Sequence, residues 1–285
     1  MKYAIAIAVA ICLLTGCAAA DGEHAPPIVE PSSNEREADS SATTHPNDEN
    51  APLPEEETPA QEDDVPLPPA EPAYRLNANF DIKPIDESAP ANVVLLTFDD
   101  GPKDESMLLQ MLDTLDRYDA KAIFFVNGYR VKSKPDLLKL IHERGQYIGN
   151  HSWDHINLKK ESEEVIDKQL TDVQHAVAEL IGVQPLFFRP PFGAGNDYVK
   201  AKSRELGMLY MTWSNGSLDW DSSNKNDPDG VIRTVMEQLR PGSNILMHEL
   251  QWTADALDGL LSALQQEGYG FVDPGTIHTA PDSEQ

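Results

Sequence analysis

The 285-residue sequence is short of cysteine, of basic side chains, of long apolar runs and, over one stretch, of aromatics. There are two cysteines, Cys12 and Cys17. Cys12 lies inside the opening apolar run, so cleavage of that run as a signal would leave Cys17 alone and exclude an internal disulfide. Lys and Arg number 22 against 48 Asp and Glu, for a net charge of −26. That excludes a nucleic-acid binder, which needs a basic face, and disfavours electrostatic docking on anionic lipid. The opening apolar run, Ala4 to Leu14, holds 11 residues, whereas a membrane-spanning helix needs about 20. Residues 18–73 contain no Phe, Tyr or Trp, yet hold 15 acidic residues, a single basic one (Arg36) and 11 of the 22 prolines. Such a stretch buries too little apolar area to offset its ordering entropy. Segments such as Glu55-Glu56-Glu57 and Pro66-Leu67-Pro68-Pro69 favour an extended, self-repelling chain. The organisation expected is a leader at 1–16, a disordered acidic tether at 17–73, a lead-in at 74–92, one domain at 93–275 and a tail at 276–285. About 210 residues outside leader and tether suffice for a single core.

The leader has a positive residue, Lys2, and a short apolar core ending in Leu14-Thr15-Gly16-Cys17, as in a secretory signal. Those four residues resemble a bacterial lipobox, which implies lipid on Cys17 and an extracytoplasmic, membrane-anchored protein. The alternative is ordinary cleavage at Ala18-Ala19-Ala20. More than one acyl chain on Cys17 would suffice for stable anchoring. As a flexible coil the tether would span ~40 Å r.m.s..

From residue 93 strands and helices alternate. Val93–Phe98 is a continuous apolar run, the pattern of a strand buried on both faces of a parallel sheet. Further strands are read at Ala122–Val126, Tyr147–Asn150, Leu186–Arg189, Met208–Trp213, Asn244–Met247 and Tyr269–Val272. Helices are read at Met107–Leu115, Pro135–Ile141 (opened by Ser133), Ser162–Ile181, Asp197–Leu206, Val231–Leu239 and Thr253–Gln265. About seven strands with helices between them give an α/β fold, either a parallel barrel or a doubly wound sheet. Both bind ligands at the C-terminal ends of the strands. That is where the chemically capable residues fall: Asp99 and Asp100, His151 and His155, Arg189, Asp219 and His248.

His151 and His155 are four apart, and on a helical turn they would share a face, suiting two imidazoles on one metal ion. A carboxylate would complete a two-histidine, one-carboxylate set with open positions. Asp99 and Asp100, adjacent at the end of a buried strand, would repel each other unless a cation compensates; Arg189 and a metal are the available compensators.

Five segments in order carry a resemblance: Thr97-Phe98-Asp99-Asp100-Gly101-Pro102, His151-Ser152-Trp153-Asp154-His155, Arg189-Pro190-Pro191-Phe192-Gly193, Asp219-Trp220 and Leu246-Met247-His248. They resemble the motifs of the polysaccharide deacetylase family, the NodB-homology domain of carbohydrate esterase family 4, over about residues 90 to 275. The resemblance implies a distorted (β/α) barrel and metal-dependent hydrolysis of N-acetyl groups on a glycan. It implies Asp100, His151 and His155 as ligands of one divalent metal ion, with zinc favoured and cobalt, nickel or manganese as alternatives. Asp99 would be the general base and Arg189 its positioning residue. His248 would be the general acid, oriented by Asp219, with base and acid on opposite sides of the rim. The backbone N–H of Phe192 would stabilise an oxyanion, Leu246 would line an acetyl-methyl pocket, and Trp220 would shape the groove.

Two positions depart from the family pattern: Gly216 stands where another acidic residue is common, and Phe192 where Tyr is. The substrate expected is peptidoglycan N-acetylglucosamine, with chitooligosaccharide deacetylation or acetylxylan ester hydrolysis as other enzyme readings. A non-catalytic glycan-binding lipoprotein is the reading from another class. Partners expected are an N-acetylated glycan and a membrane reached through lipid; neither nucleic acid nor an obligate protein partner is expected. Trp153 would either touch sugar or wedge the histidine loop, and Trp252 would either stack on sugar or pack in the core.

Overall fold

The computed structural model describes residues 71–280. The leader, Cys17 and the tether up to residue 70 lie outside the described residues, as do residues 281–285. The described chain opens with a two-stranded antiparallel ribbon, β1 (Tyr74–Leu76) and β2 (Ile82–Pro84), within the segment read only as a lead-in.

The main sheet then begins with β3 (Val93–Gly101), whose residues 93–99 are all buried. It is followed by α1 (Glu105–Arg117), β4 (Ala122–Val126), α2 (Gly128–Ser133), α3 (Pro135–Glu143), β5 (Tyr147–Asn150) and α4 (Glu163–Ile181). Next come β6 (Phe187–Phe188), α5 (Asp197–Glu205), β7 (Leu209–Tyr210), β8 (Asn215–Gly216) and α6 (Pro228–Glu237). The last elements are β9 (Ser243–His248), α7 (Gln251–Gln266) and β10 (Gly270–Phe271). Every pairing in the main sheet is parallel, in the order β7-β6-β5-β4-β3-β9-β8, and β10 pairs with the start of β3.

The two edge strands are neighbours in sequence. Met211 donates its N–H to Phe188 on one side, and Ser214 donates to Asn244 on the other, so residues 211–214 bridge the edges and the sheet curls into an incomplete barrel. This corrects the long strand read at Met208–Trp213. Its apolar run is divided between β7 and the bridge, and the polar Asn215-Gly216 pair, which reads as a turn, is a strand.

Alternation along the strands sorts the two faces. Val94, Leu96 and Phe98 pack outward against Leu112, Val177 and Leu260 of the covering helices. Val93, Leu95, Ile123 and Phe125 pack inside, with Phe187 and Met211. The same inner face continues to Thr97 and Asp99 on β3 and to Asn244, Leu246 and His248 on β9. Register pairs Leu95 with Asn244, Thr97 with Leu246 and Asp99 with His248. The barrel interior is thus apolar at one end and polar at the C-terminal end.

Caps place the helices. Asp104 accepts from the Met107 N–H at the start of α1, and Ser162 from the Val165 N–H at the start of α4. Gly182 ends α4 at φ 78°, where a side chain would be strained. Ser133 does not open the helix at Pro135: it ends α2, a helix not anticipated, and Lys134 is the junction. No helix among the described residues is long and apolar enough to cross a membrane.

Candidate active site

Arg189 lies just past β6 with its side chain fully buried in the barrel. One guanidinium nitrogen donates to Asp99 Oδ1 at 2.7 Å and to Thr97 Oγ1 at 2.8 Å. The other terminal nitrogen donates to the Thr212 carbonyl at 2.8 Å and to Asn244 Oδ1 at 3.3 Å. Phe125 supports the guanidinium from below, 4.3 Å from its ring centroid. A buried cation is tolerable only when paired and hydrogen-bonded, and Asp99 supplies the charge. Asp99 Oδ2 is left facing the histidine cluster, 3.5 Å from His151 Nε2.

Strict alternation would turn Asp100 to the outer face. Instead Asp100 adopts φ 69° at a register shift between β3 and β4, which swings its carboxylate back to the rim. Asp100 Oδ1 is buried without a hydrogen-bond partner, 3.2 Å from His155 Nε2 and 3.7 Å from His151 Nε2. The histidines do not share a helical turn as the spacing suggested. Residues 151–155 are a loop in which Ser152 (φ 65°) and His155 (φ 54°) are left-handed. The loop is pinned from α4: Asn150 donates to the Leu170 carbonyl and to Gln174, and Gln169 bonds both the N–H and the carboxylate of Asp154. Trp153 sits against Gly128, where a Cβ would lie 2.1 Å from the indole, and packs on the core. Of its two readings, the wedge is the one seen.

The donor atoms of Asp100, His151 and His155 lie within 4.8 Å of one another. His151 Nδ1 is 2.7 Å from the Arg189 carbonyl, which can only accept, so Nδ1 carries the proton and the Nε2 lone pair faces the cluster. Burial keeps that imidazole below its usual pKa, against the pull of Asp99 and Asp100, and so neutral. An orphaned carboxylate oxygen and a neutral imidazole aimed at one point fit a divalent cation.

His248 is beside Asp99 on the neighbouring strand, not across the rim as expected. Its Nδ1 is 2.8 Å from Asp219 Oδ1, while Asp219 Oδ2 accepts from the His248 N–H and the Thr253 hydroxyl, both at 2.7 Å. Burial works against the imidazolium, but the bond to Asp219 and its charge, with Asp99 and Asp100 beyond, outweigh it and raise the His248 pKa. Trp252 donates its indole N–H to the Asp219 carbonyl and also lines the cleft.

The cleft has a volume of about 650 Å³. Phe192 is exposed at φ 60°, with its ring edge-on to His155, and Leu246 forms part of the lining. Trp220 stands edge-on to both His248 and Trp213. Gly216 leaves the room that these two indoles fill, at 3.4 and 3.6 Å from a built Cβ. Trp213, Lys103, Lys225 and Leu250 also line the cleft and were not anticipated. Nor was Asn244, although it lies two residues before Leu246 on the same alternating face.

A family model described as "Polysaccharide deacetylase" matches residues 86–211. The solved structure of peptidoglycan deacetylase PdaC from Bacillus subtilis superposes with a TM-score of 0.58 at 35% identity, covering 64% of this chain and 87% of that one. This chain belongs to the polysaccharide deacetylase family. Peptidoglycan-N-acetylglucosamine deacetylase PgdA of Listeria monocytogenes is 39% identical over 180 residues, 63% of this chain but only 37% of that protein. The crystal structure of a CE4 family pseudoenzyme from Bacillus anthracis superposes with a TM-score of 0.60 at 30% identity, covering 63% of each chain. The family fold seen in these structures is the curled parallel sheet described above.

Proposed function

We propose that the protein is a metal-dependent N-deacetylase of peptidoglycan, acting on N-acetylglucosamine outside the cell membrane and held there by lipid on Cys17. In this reading residues 1–16 are a lipoprotein signal, 17–73 a tether, 74–92 a lead-in, 93–275 the catalytic domain and 276–285 a tail. The observation that carries it is the joint placement, in one cleft, of an Asp100–His151–His155 donor set, an Asp99–Arg189 pair and an Asp219–His248 pair.

Asp100, His151 and His155 would hold a divalent cation, with zinc suited to this donor set. Such an ion supplies Lewis acidity and lowers the pKa of water. Asp99, with one oxygen held by Arg189 and the other free toward the cluster, accepts the proton of the attacking water. Arg189 holds Asp99 in place through the bond to Oδ1. The Phe192 N–H would donate to the developing oxyanion. His248, protonated through Asp219, delivers a proton to the departing sugar nitrogen, which would otherwise leave as an amine anion. Leu246 offers an apolar wall to the acetyl methyl, and Trp220 shapes the sugar groove.

Peptidoglycan is favoured because a domain tethered outside the membrane meets the wall, and because relatives bear peptidoglycan deacetylase names. A pseudoenzyme shares the fold, so an assay separates catalysis from glycan binding. Residues 71–285 incubated with peptidoglycan fragments and added zinc should release acetate, and a chelator should abolish the release. No acetate from any N-acetyl glycan with metal supplied would overturn the reading.

A further inference from the structure

The cleft of this acidic protein holds two lysines, and they are not equivalent. Lys103 is mostly buried, and its ammonium lies 3.8 Å from Asp100 Oδ2, so it is engaged with the cluster. Lys225 is exposed at the cleft rim and makes no hydrogen bond or ion pair among the described residues.

The loop that carries Lys225 is well braced. Asn224 is buried, and its amide donates to the Ser217 carbonyl at 3.1 Å and to Thr234 Oγ1 at 3.0 Å. The flanking acids are occupied elsewhere. Asp221 accepts from the Ser223 N–H, and Asp227 caps α6 through the Gly230 N–H and pairs with Arg233 at 3.7 Å. Lys225 thus lines the cleft from a braced loop, and no carboxylate among the described residues pairs with it.

Trp213, Trp220 and Trp252 line the same cleft, and flat indoles are surfaces on which sugar rings stack. At 650 Å³ the cleft exceeds one sugar ring, so a chain threading it places a neighbouring sugar along the rim. Peptidoglycan strands alternate N-acetylglucosamine with muramoyl units, each bearing a lactyl carboxylate or, through it, a peptide with its own carboxylates. Chitin and xylan backbones lack that charge.

We propose that Lys225 forms a carboxylate subsite at the rim of the cleft, reading the acid on the sugar next to the one being deacetylated. This rests on the deacetylase reading and narrows its substrate to glycans carrying an acid beside the N-acetyl sugar. The net charge of −26 repels such polymers at long range, but screening confines that repulsion to about 8 Å at physiological salt. At contact, the local cation decides.

The test is binding, which needs no turnover. Indole fluorescence would give Kd values for three muramoyl oligosaccharides of equal length: one with free lactyl carboxylates, one with these reduced to alcohols, and one bearing peptides. Wild-type protein should bind the free acid about two- to fivefold more tightly than the alcohol, the scale of an exposed ion pair, and the gap should shrink with added salt. In Lys225→Gln the ratio should fall to about one, and in Lys225→Glu it should invert. Preference for the peptide-bearing ligand over the alcohol, lost in the same variants, would assign the carboxylate to the peptide instead of the lactyl group. Equal ratios in wild type and both variants, for both acidic ligands, would overturn the subsite. The acetate assay tests the deacetylase reading separately, so either can fail without the other.

Discussion

The proton on His248 is governed by one buried carboxylate. Asp219 has both oxygens engaged with the residues around the histidine, so its charge cannot relax toward solvent. That charge raises the His248 pKa despite burial, which keeps the acidic form available at neutral pH. Asp219→Asn removes the charge and offers an amide that can donate to Nδ1 and select the wrong tautomer. The His248 pKa should fall, so the loss of kcat/KM on the alkaline side should begin at lower pH. Turnover at neutral pH should drop by about 10²–10⁴-fold, the scale of general acid–base catalysis. Acetate release measured across pH checks both. An alkaline limb that stays in place would remove this pair as the proton donor.

At the scale of elements, the junction of β3 and β9 holds the site together. The Glu249 N–H extends the ladder to the Asp99 carbonyl, and the side chain turns back under the loop that follows Asp100. Glu249 Oε2 accepts from the Lys103 N–H at 2.9 Å, and Oε1, buried and without a partner, lies where a Cβ on Gly101 would be. A side chain at 101 would meet that oxygen at 1.7 Å, so Glu249 would have to leave its place to admit one. Burial raises the Glu249 pKa to about 7, against the Lys103 N–H and the charges of Lys103 and Arg130. The folded state thus binds a proton that the unfolded state releases near the ordinary value of 4.5. This contribution to stability is full below that value and is lost as pH rises through about 7. Glu249→Gln mimics the protonated form, so its stability relative to wild type should rise by roughly 3 kcal/mol between pH 4.5 and pH 8. Urea unfolding of the metal-free domain at those two pH values reads the gap directly, and a gap independent of pH would refute the buried proton.

Much of this arrangement was legible in the sequence, and what was not has a physical reason. The apolar run Val93–Phe98 announces a buried parallel strand, and the chemically capable residues, Asp99 and His248 among them, fall at the C-terminal ends of the strands. The histidine loop escaped because Ser152 and His155 are left-handed without being glycine, so no residue signals the break. Two-residue strands such as β8 carry too little pattern to read. Glu249 looks like a surface residue, and Gln169 and Gln174 look like ordinary polar positions of a helix. Their roles depend on which loop α4 packs against, which is a tertiary fact.

For the whole molecule, charge and attachment separate into different problems. The 15 acidic residues between 18 and 73 cannot hold the protein on an anionic membrane, and no described helix can cross one. On the proposed reading, attachment falls to Cys17 alone. A single acyl chain gives marginal, reversible binding, whereas two give stable anchoring, so the effect of losing the thiol should be all or nothing. Full-length wild type should sediment with membranes after cell lysis, and Cys17→Ala should appear in the soluble fraction. The same variant should still release acetate from soluble muramoyl oligosaccharides, because the cleft is built wholly from residues after 93. On the same reading it should act poorly on the intact wall of cells, where the tether would keep the enzyme within reach of its polymer. Retention of Cys17→Ala on membranes would rule out the lipid anchor. Equal action of anchored and released forms on the intact wall would show that the tether confers no advantage in reach.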